Sequence, residues 1–393
     1  MKAIKDSVHD HIPVCDLAAD LLDTPELQRL RHIKQLSTVR LVYPSANHTR
    51  FEHSLGVYYL AREACSLLGV EGDRAKAVRA AALLHDVGHG PYGHQTEGVI
   101  ERRLGRHHDE VGDLLASGEL GAVLESHGLD PGEVADLVAG EGRLGQLVAG
   151  ELDVDRMDYL VRDAHHTGVP YGTIDHSRLL AALQFRDDDL VLSAGNVQTA
   201  EGTLVARALM NATVYRHHVS RIAGAMLERA SERLLDSTDL RPEAFARMTD
   251  DRLLGALRDC PATADAARRL EQRDLYKRAV WAKLDAVPEA VVAADRDEVR
   301  AFEREIAETA DAAGETDVSP EDVLVDTPGE PGMPESSTRV VVDGEVRRLA
   351  DESPLVEGLR AAGRAQWRLG VYAPEEKIPE VGAAAERVLG VET

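Results

Sequence analysis

The chain has 393 residues, enough for two domains or for one large domain with an appendage, and its 69 acidic against 45 basic residues give a formal net charge of −24. That balance argues against a nucleic-acid-binding surface, which needs a basic patch; no run approaches the roughly 18 to 20 apolar residues of a membrane span, and "MKAIKDSVHD" lacks the basic-then-apolar pattern of a secretory leader, so a cytoplasmic location is expected. The three cysteines, Cys15, Cys65 and Cys260, are too scattered for a CxxC pair or a disulfide framework and read as free thiols.

Taken in chain order, most segments read as helix. "TPELQRLRHIKQL" opens with Thr24 as N-cap and Pro25 at the first helical position, then sets Leu27, Leu30, Ile33 and Leu36 at helical spacing. "HSLGVYYLAREACSLLG", closed by Gly69, and "RAKAVRAAALLHD" are two more apolar-striped helices. "HDEVGDLLASGEL" and "DVDRMDYLVRDAHH" follow, and "TLVARALMNATVYRHHVSRIAGAMLERASERLL" reads as one long Ala-rich helix. Strand signals are sparse. "DDDLVLSAGN" reads as a short hairpin, and "TRVVVDGEVRRL" has Asp343-Gly344 between β-branched runs, a strong two-residue hairpin signal. Residues 312–338 are rich in Pro, Gly and acids and read as a linker, while "SPLVEGLRAAGRAQWRLGVYAP" reads as a helix and then a strand. The expected fold is mainly α with a few short β-hairpins. Its expected parts are a catalytic region over residues 1–283, an acidic helix and linker over 284–338, and a small α+β region over 339–393.

All sixteen histidines lie at or before His218, so imidazole chemistry belongs to the first half of the chain. Candidate ligands are His53 in "RFEHSLGV", the adjacent His85 and Asp86 in "LLHDVGHGPYGH", and Asp155 in "ELDVDRMDY". A lone His-Asp pair at a helix end is more often a cap than a ligand pair. Together, the four make a mixed N/O set suited to Fe, Mn, Zn, Ni or Co better than to Ca, with positions left open for water. Arg50, three residues before His53 at a helix start, can face the same ion and clamp phosphate oxygens. His89 and His94 stand near enough in sequence for a histidine to protonate a leaving oxygen. Residues 155, 159 and 163 are spaced by four, so Asp155, Tyr159 and Asp163 share one helix face.

The strings "DTPELQRLRHIKQL", "NHTRFEHSLGV", "LLHDVGHGPYGH" and "ELDVDRMDYLVRDAHHTGV" closely resemble the HD-domain phosphohydrolases, in particular the branch of the vertebrate SAM- and HD-domain deoxynucleoside triphosphate triphosphohydrolase. The resemblance runs from Lys2 to about Lys277, with little of it in the last hundred residues, and it includes no SAM domain. It implies a helical HD fold with His53, His85, Asp86 and Asp155 as metal ligands, and Mg as a further candidate on the substrate phosphates. It assigns His94 the acid role, with His89 in support and Glu97 where the family has an orienting aspartate. His108 and Asp109 match a His-acid pair near the catalytic centre, and adjacent His107 reads as solvated. By the same resemblance, Arg50, Arg156 and Arg207 face phosphate and Gln35 and Leu36 meet sugar and base. Tyr159 and Asp163 contact the deoxyribose, and Tyr215 crowds the 2′ position. Asn211 stands where the family has a histidine, which weakens the match to a triphosphate tail.

Lys2, Asp23, Gln28, Arg31 and Arg273 match residues that bind an activating guanine nucleotide in the family, although Lys5 replaces an asparagine there. The resemblance therefore implies metal-dependent hydrolysis of a dNTP to deoxynucleoside and inorganic triphosphate, by a homodimer or homotetramer that a guanine nucleotide activates. The alternative is an HD-type nucleotide phosphatase or phosphodiesterase acting on a monophosphate or diester; a nucleotide-responsive binding protein with a vestigial site is a third reading. Only seven of the basic residues are lysines. Such an acid-rich, lysine-poor surface is expected of a halophilic protein, since at about 1 M salt the screening length is only about 3 Å.

Overall fold

The structure is a computed structural model, and residues 2–313, 317–329, 331–333 and 337–391 are described. The chain is mainly α-helical, with three small sheets of two, four and three strands among the described residues. The largest apolar core joins the N-terminal segments to the helices Arg50–Leu68 and Gly72–Leu84 and to the smaller helices that follow. A second core lies between the three-stranded sheet and the helices Arg296–Asp311 and Ile378–Leu389. A third packs His94–Leu104 against His218–Ser237 and the helices after it.

Several elements depart from the expected ones. The helix opened by Pro25 ends as a tight 3-10 turn at His32, and Ile33 is extended (φ −121°, ψ 115°). Tertiary pairing outweighs local propensity here: the Ile33 carbonyl accepts the Arg50 N–H at 2.9 Å, and Lys34 bridges Thr49. Leu27, Leu30, Ile33 and Leu36 are nevertheless all buried. "HDEVGDLLASGEL" is broken into Gly112–Leu115 and Gly118–Ser126.

The long Ala-rich segment is not one helix. It divides into Val197–Met210, a wide π turn over Asn211–Tyr215, and His218–Ser237. Such turns bring side chains out of α register, and this one carries two of the expected substrate residues.

The hairpin expected in "DDDLVLSAGN" lies slightly upstream, pairing Leu183–Arg186 with Asp189–Leu192. The Asp343-Gly344 hairpin is present, with both residues at positive φ (51° and 85°), and its first strand pairs in parallel with the first hairpin at Leu192 and Val340. The segment read as a linker carries the strand Leu324–Asp326; its residues 314–316, 330 and 334–336 lie outside the described ones. That strand and Lys277–Lys283 flank Arg368–Ala373, all antiparallel. An N-terminal hairpin, Lys2–Asp6 with Asp10–Val14, was not foreseen either.

The helix Arg50–Leu68 supplies the first candidate ligand and is fixed at both ends. Glu52 accepts the Thr49 N–H at 2.6 Å in a capping box, and Gly69 ends the helix at φ 66°. Thr49→Ala is expected to lower unfolding stability by about 1 kcal/mol; urea denaturation followed by circular dichroism measures it, and no change would show that Glu52 alone holds this start.

Candidate active site

Three helices converge on one point. His53 sits one turn into Arg50–Leu68, His85 and Asp86 directly follow Gly72–Leu84, and Asp155 lies in the first turn of Val154–Thr167. His53 Nε2 is 2.8 Å from Asp155 Oδ1 and 3.2 Å from His85 Nε2. His85 Nε2 is 3.5 Å from Asp86 Oδ1 and 3.7 Å from Asp155 Oδ1, and His53 Nε2 is 4.0 Å from Asp86 Oδ2.

His53, His85 and Asp86 lie close enough together to hold a single divalent cation, and Asp155 approaches it from the side of the two histidines. With metal–ligand bonds of about 2.1 Å, neighbouring ligands around an ion lie about 3 Å apart and opposed ones about 4 Å. Each imidazole is held through its far nitrogen: His85 Nδ1 donates to the Ala82 carbonyl at 2.9 Å and His53 Nδ1 to Asp158 Oδ2 at 2.8 Å. Such bonds fix the ring so that Nε2 presents its lone pair to an ion. Two Nε2 atoms facing each other at 3.2 Å need a proton or a cation between them. Burial alone drives the His53 pKa down, but bonds to Asp155 and Asp158 overcome it and raise it to about 10. Positive charge is therefore favoured here, and a cation supplies it while leaving the ring neutral.

Arg50 is buried and donates from Nη1 to Asp86 Oδ2 at 2.8 Å. Among the described residues its Nε has no hydrogen-bond partner. Gly93, at φ 53°, lets the chain pass over this guanidinium; a Cβ there would come within 2.4 Å of Nη2. The loop carrying Gly93 is anchored by Asp250, which accepts the Tyr92 N–H at 2.7 Å, and by Arg29, whose guanidinium binds the carbonyls of His89, Ala246 and Arg247. Burial and the nearby Arg247 push the Arg29 pKa down to about 9.

His89, His94 and His108 form a second histidine group. Glu97 accepts from His94 Nδ1 at 2.8 Å and from His108 Nδ1, so the longer acid spans both rings. These bonds, working against burial, hold the Glu97 carboxyl well below the usual range. His94 is exposed at a helix start; His89 is buried, with its Nε2 3.3 Å from Asp86 Oδ1. Burial, Arg50 and His108 keep His89 neutral. The three rings crowd closely enough to suggest another metal site. However, His89 and His108 are stacked at 3.9 Å and 11°, and parallel rings cannot both aim in-plane lone pairs at one ion. Asp109 is exposed, and among the described residues no hydrogen bond joins it to this group.

One and two turns beyond Asp155, Tyr159 and Asp163 meet the π turn. Tyr215 donates to Asp163 Oδ2 at 2.9 Å, His48 Nε2 to Asp163 Oδ1 at 2.8 Å, and Arg207 Nε to the Tyr159 hydroxyl at 3.3 Å. The Tyr159 and Tyr215 rings meet edge to face at 6.2 Å. Leu36 belongs to the small apolar cluster beneath them, and among the described residues the buried Gln35 Oε1 has no hydrogen-bond partner. Asn211 opens the π turn, and Arg156 leans back on the Glu151 carbonyl. Asp23 is exposed; Gln28 bonds the Leu22 carbonyl and accepts from Arg31 at 2.9 Å, and Arg31 covers the Phe51 ring. Lys2 lies on the N-terminal hairpin, whereas Arg273 bonds the Leu41 carbonyl.

Sequence reasoning passed over Asp158, His48 and His9. Asp158 lies three residues after Asp155, a spacing that also shares a helix face; His48 had only its place in "NHTRFEH" as a signal.

His48 stacks on His166 at 4.4 Å, and burial together with His48 pulls the His166 pKa down to about 4. A histidine depressed in the folded state stabilises fully above its unfolded value of about 6.5 and loses that contribution as pH falls towards 4. The stability difference between the parent and His166→Gln is expected to change over that window and to stay flat above it, as denaturant titrations at several pH values would measure.

Comparison with known proteins agrees with this geometry. Residues 50–163 match the HD domain family and residues 174–393 the HD associated region, so the family signal continues through the C-terminal segments where the sequence strings faded. An uncharacterized protein of Methanocaldococcus jannaschii is 33% identical over 392 residues, covering 97% of this chain and 81% of that one. The human deoxynucleoside triphosphate triphosphohydrolase SAMHD1 is 29% identical over 342 residues, but the match spans 70% of this chain and only 54% of that protein. Among solved structures, a phosphohydrolase of Bacteroides thetaiotaomicron superposes with a TM-score of 0.75 at 26% identity, over 95% of this chain and 100% of that one. A hypothetical protein of Aquifex aeolicus gives 0.79 at 26% identity, over 98% and 99%. With both family regions matched, the chain belongs to the HD-domain phosphohydrolases and is an enzyme of that class.

Proposed function

We propose that the enzyme hydrolyses deoxynucleoside triphosphates to deoxynucleoside and inorganic triphosphate, with a transition-metal divalent cation held by His53, His85, Asp86 and Asp155. One observation carries this reading: the helix that brings Asp155 to the ligand cluster also carries Tyr159 and Asp163, which meet Tyr215. The candidate metal-ligand end and the Tyr159, Asp163 and Tyr215 cluster thus belong to one rigid element.

A bound divalent cation lowers the pKa of water and polarises a phosphoryl oxygen. The chain's own groups do the rest. Water adds to the α-phosphorus and the bond to the 5′ oxygen breaks. His94, whose Nδ1 is held by Glu97, carries a proton on Nε2 for the departing oxygen, and His108 shares the same carboxylate. Arg50, Arg156 and Arg207 offset phosphate charge. Asp163, which accepts from His48 and Tyr215, holds the Tyr215 ring against the 2′ side of the sugar, where a hydroxyl would clash. A guanine nucleotide on Lys2, Asp23, Gln28, Arg31 and Arg273, shared between subunits of a dimer or tetramer, would activate the enzyme.

A monophosphate or diester substrate is the competing reading, favoured by the uncharged Asn211 at the triphosphate end. Incubating the protein at high salt with a panel of dNTPs and NTPs, with Mn, Mg or Fe and with or without GTP, separates the two. Release of triphosphate, abolished by a chelator and by His85→Ala, supports the proposal; orthophosphate release from monophosphates sinks it. Activity on dATP that ignores added GTP removes the activator. Tyr215→Ala is expected to raise kcat/KM for NTPs relative to dNTPs by about tenfold, the scale of losing one steric discrimination; an unchanged ratio would show that the 2′ side is read elsewhere.

A further inference from the structure

The N-terminal hairpin is tied to the candidate metal ligand His53 by an unbroken buried chain of polar contacts. Asp158 lies at its centre with all its acceptor capacity in use. Its Oδ2 accepts from His53 Nδ1 at 2.8 Å and Arg162 Nε at 2.8 Å; its Oδ1 accepts from His9 Nε2 at 2.6 Å and Arg162 Nη2 at 3.0 Å. Arg162 in turn donates from Nη1 to Asp6 Oδ2 at 2.8 Å and from Nη2 to Asp6 Oδ1 at 3.2 Å. Asp6 also accepts the backbone N–H groups of Val8 at 2.9 Å and His9 at 2.8 Å, which fixes the turn that presents His9. Asp6, His9, His53, Asp158 and Arg162 are each at most 9% exposed. Room for the chain exists only because residue 56 is glycine: a Cβ there would lie 1.8 Å from Asp158 Oδ1.

Anchoring a hairpin does not require this. Ile12 and Val14 already bury its second strand in the main core, and buried ion networks are commonly no more stabilising than apolar residues of the same volume. What the network does is end on the far nitrogen of a ligand imidazole, where an outer carboxylate sets ring orientation and donor strength. We propose that His9 and Asp6 are positioning residues of the metal centre, acting through Asp158 on His53, so that the N-terminal hairpin sets metal affinity. This rests on the reading of His53 as a ligand.

Co(II) is a suitable probe, because its visible absorption reports ligand geometry directly. Co(II) affinity is measured on the full chain by competition with a chromophoric chelator, alongside the spectrum and the far-UV circular dichroism. His9→Ala and Asp6→Asn are expected to bind Co(II) about 10- to 100-fold more weakly, with a shifted spectrum. His9→Gln, which restores an N–H donor, recovers most of the affinity, and His11→Ala, an exposed neighbour, matches the parent. Should His9→Ala lose its helical signal, the near-isosteric Asp6→Asn carries the test. Parental affinity and spectrum in a folded His9→Ala or Asp6→Asn variant overturns the inference. A parent chain that takes up no Co(II) overturns the metal-dependent reading itself, and this one with it.

Discussion

Charge neutrality in a buried volume is the constraint on which the site depends. Asp6, Asp86, Asp155 and Asp158 stand close around His9, His53 and His85, and two guanidinium groups, Arg50 and Arg162, are ion-paired to them. With the imidazoles neutral, four carboxylates, one of them Asp155 with its side chain 35% exposed, against two guanidinium groups leave two negative charges. Burying an unmatched ion costs several kcal/mol even after relaxation. One divalent cation cancels the remainder without displacing a residue. The candidate ligands and the surrounding charges therefore favour a cation at the same place, and they do so from different elements of the fold.

Arg50 pairs with Asp86 and Arg162 with Asp158, and each guanidinium lies against a glycine. Gly93 clears the Arg50 guanidinium and Gly56 clears Asp158 beside Arg162. A side chain at either position would push a cation away from its carboxylate, so these glycines serve close approach. The left-handed pair Tyr92 and Gly93 lies directly before His94, which places the exposed histidine beside the buried ligands. The helix Pro25–Arg29 reaches the same loop through Arg29, linking the N-terminal part of the chain to the backbone that carries His89.

Much of this was legible in the sequence because helical spacing is a strict geometric rule. Asp155, Tyr159 and Asp163 fall on one face whatever else the chain does, and the ligands at 53, 85 and 86 sat in distinctive strings. Their common meeting point was not deducible from spacing; it came from resemblance to a known family. Asp158 obeys the i+3 form of the same rule and was passed over because the i+4 series already gave a consistent stripe. The π turn at Asn211–Tyr215 was hidden because a single five-residue turn within an Ala-rich run shifts too few large apolar positions to break the pattern visibly. The end of the Pro25 helix at His32 was hidden for another reason: Ile33 extends to pair with a residue that lies far along the chain. The strand Leu324–Asp326 has only three residues, and its pairing with Arg368–Ala373 depends on a contact across more than forty residues of sequence.

The C-terminal segments are joined to the catalytic half by ion pairs centred on one helix. Along His218–Ser237, Arg221 binds Asp326, Glu228 binds Arg296, Arg229 binds Glu303 and Glu232 binds Arg300. Glu303 is buried, and it also accepts the Val325 N–H at 2.9 Å, so the helix Arg296–Asp311 and the short strand lock together against that same surface. Tyr372 donates to Asp326 at 2.6 Å and adds the central strand to the contact. Arg221, Glu228, Arg296, Arg300, Glu303 and Asp326 line a cavity of about 220 Å³ that also includes His94 and Tyr215, residues of the candidate site. Glu303 is the buried member of this row, and a buried charge is costly to strip of its partner, so Arg229 holds the helix Arg296–Asp311 against His218–Ser237. Arg102, on His94–Leu104 within the HD domain, pairs with Glu228 and Glu232 of the same helix, so ion pairs also tie the HD domain to its associated region, which forms part of the wall beside His94.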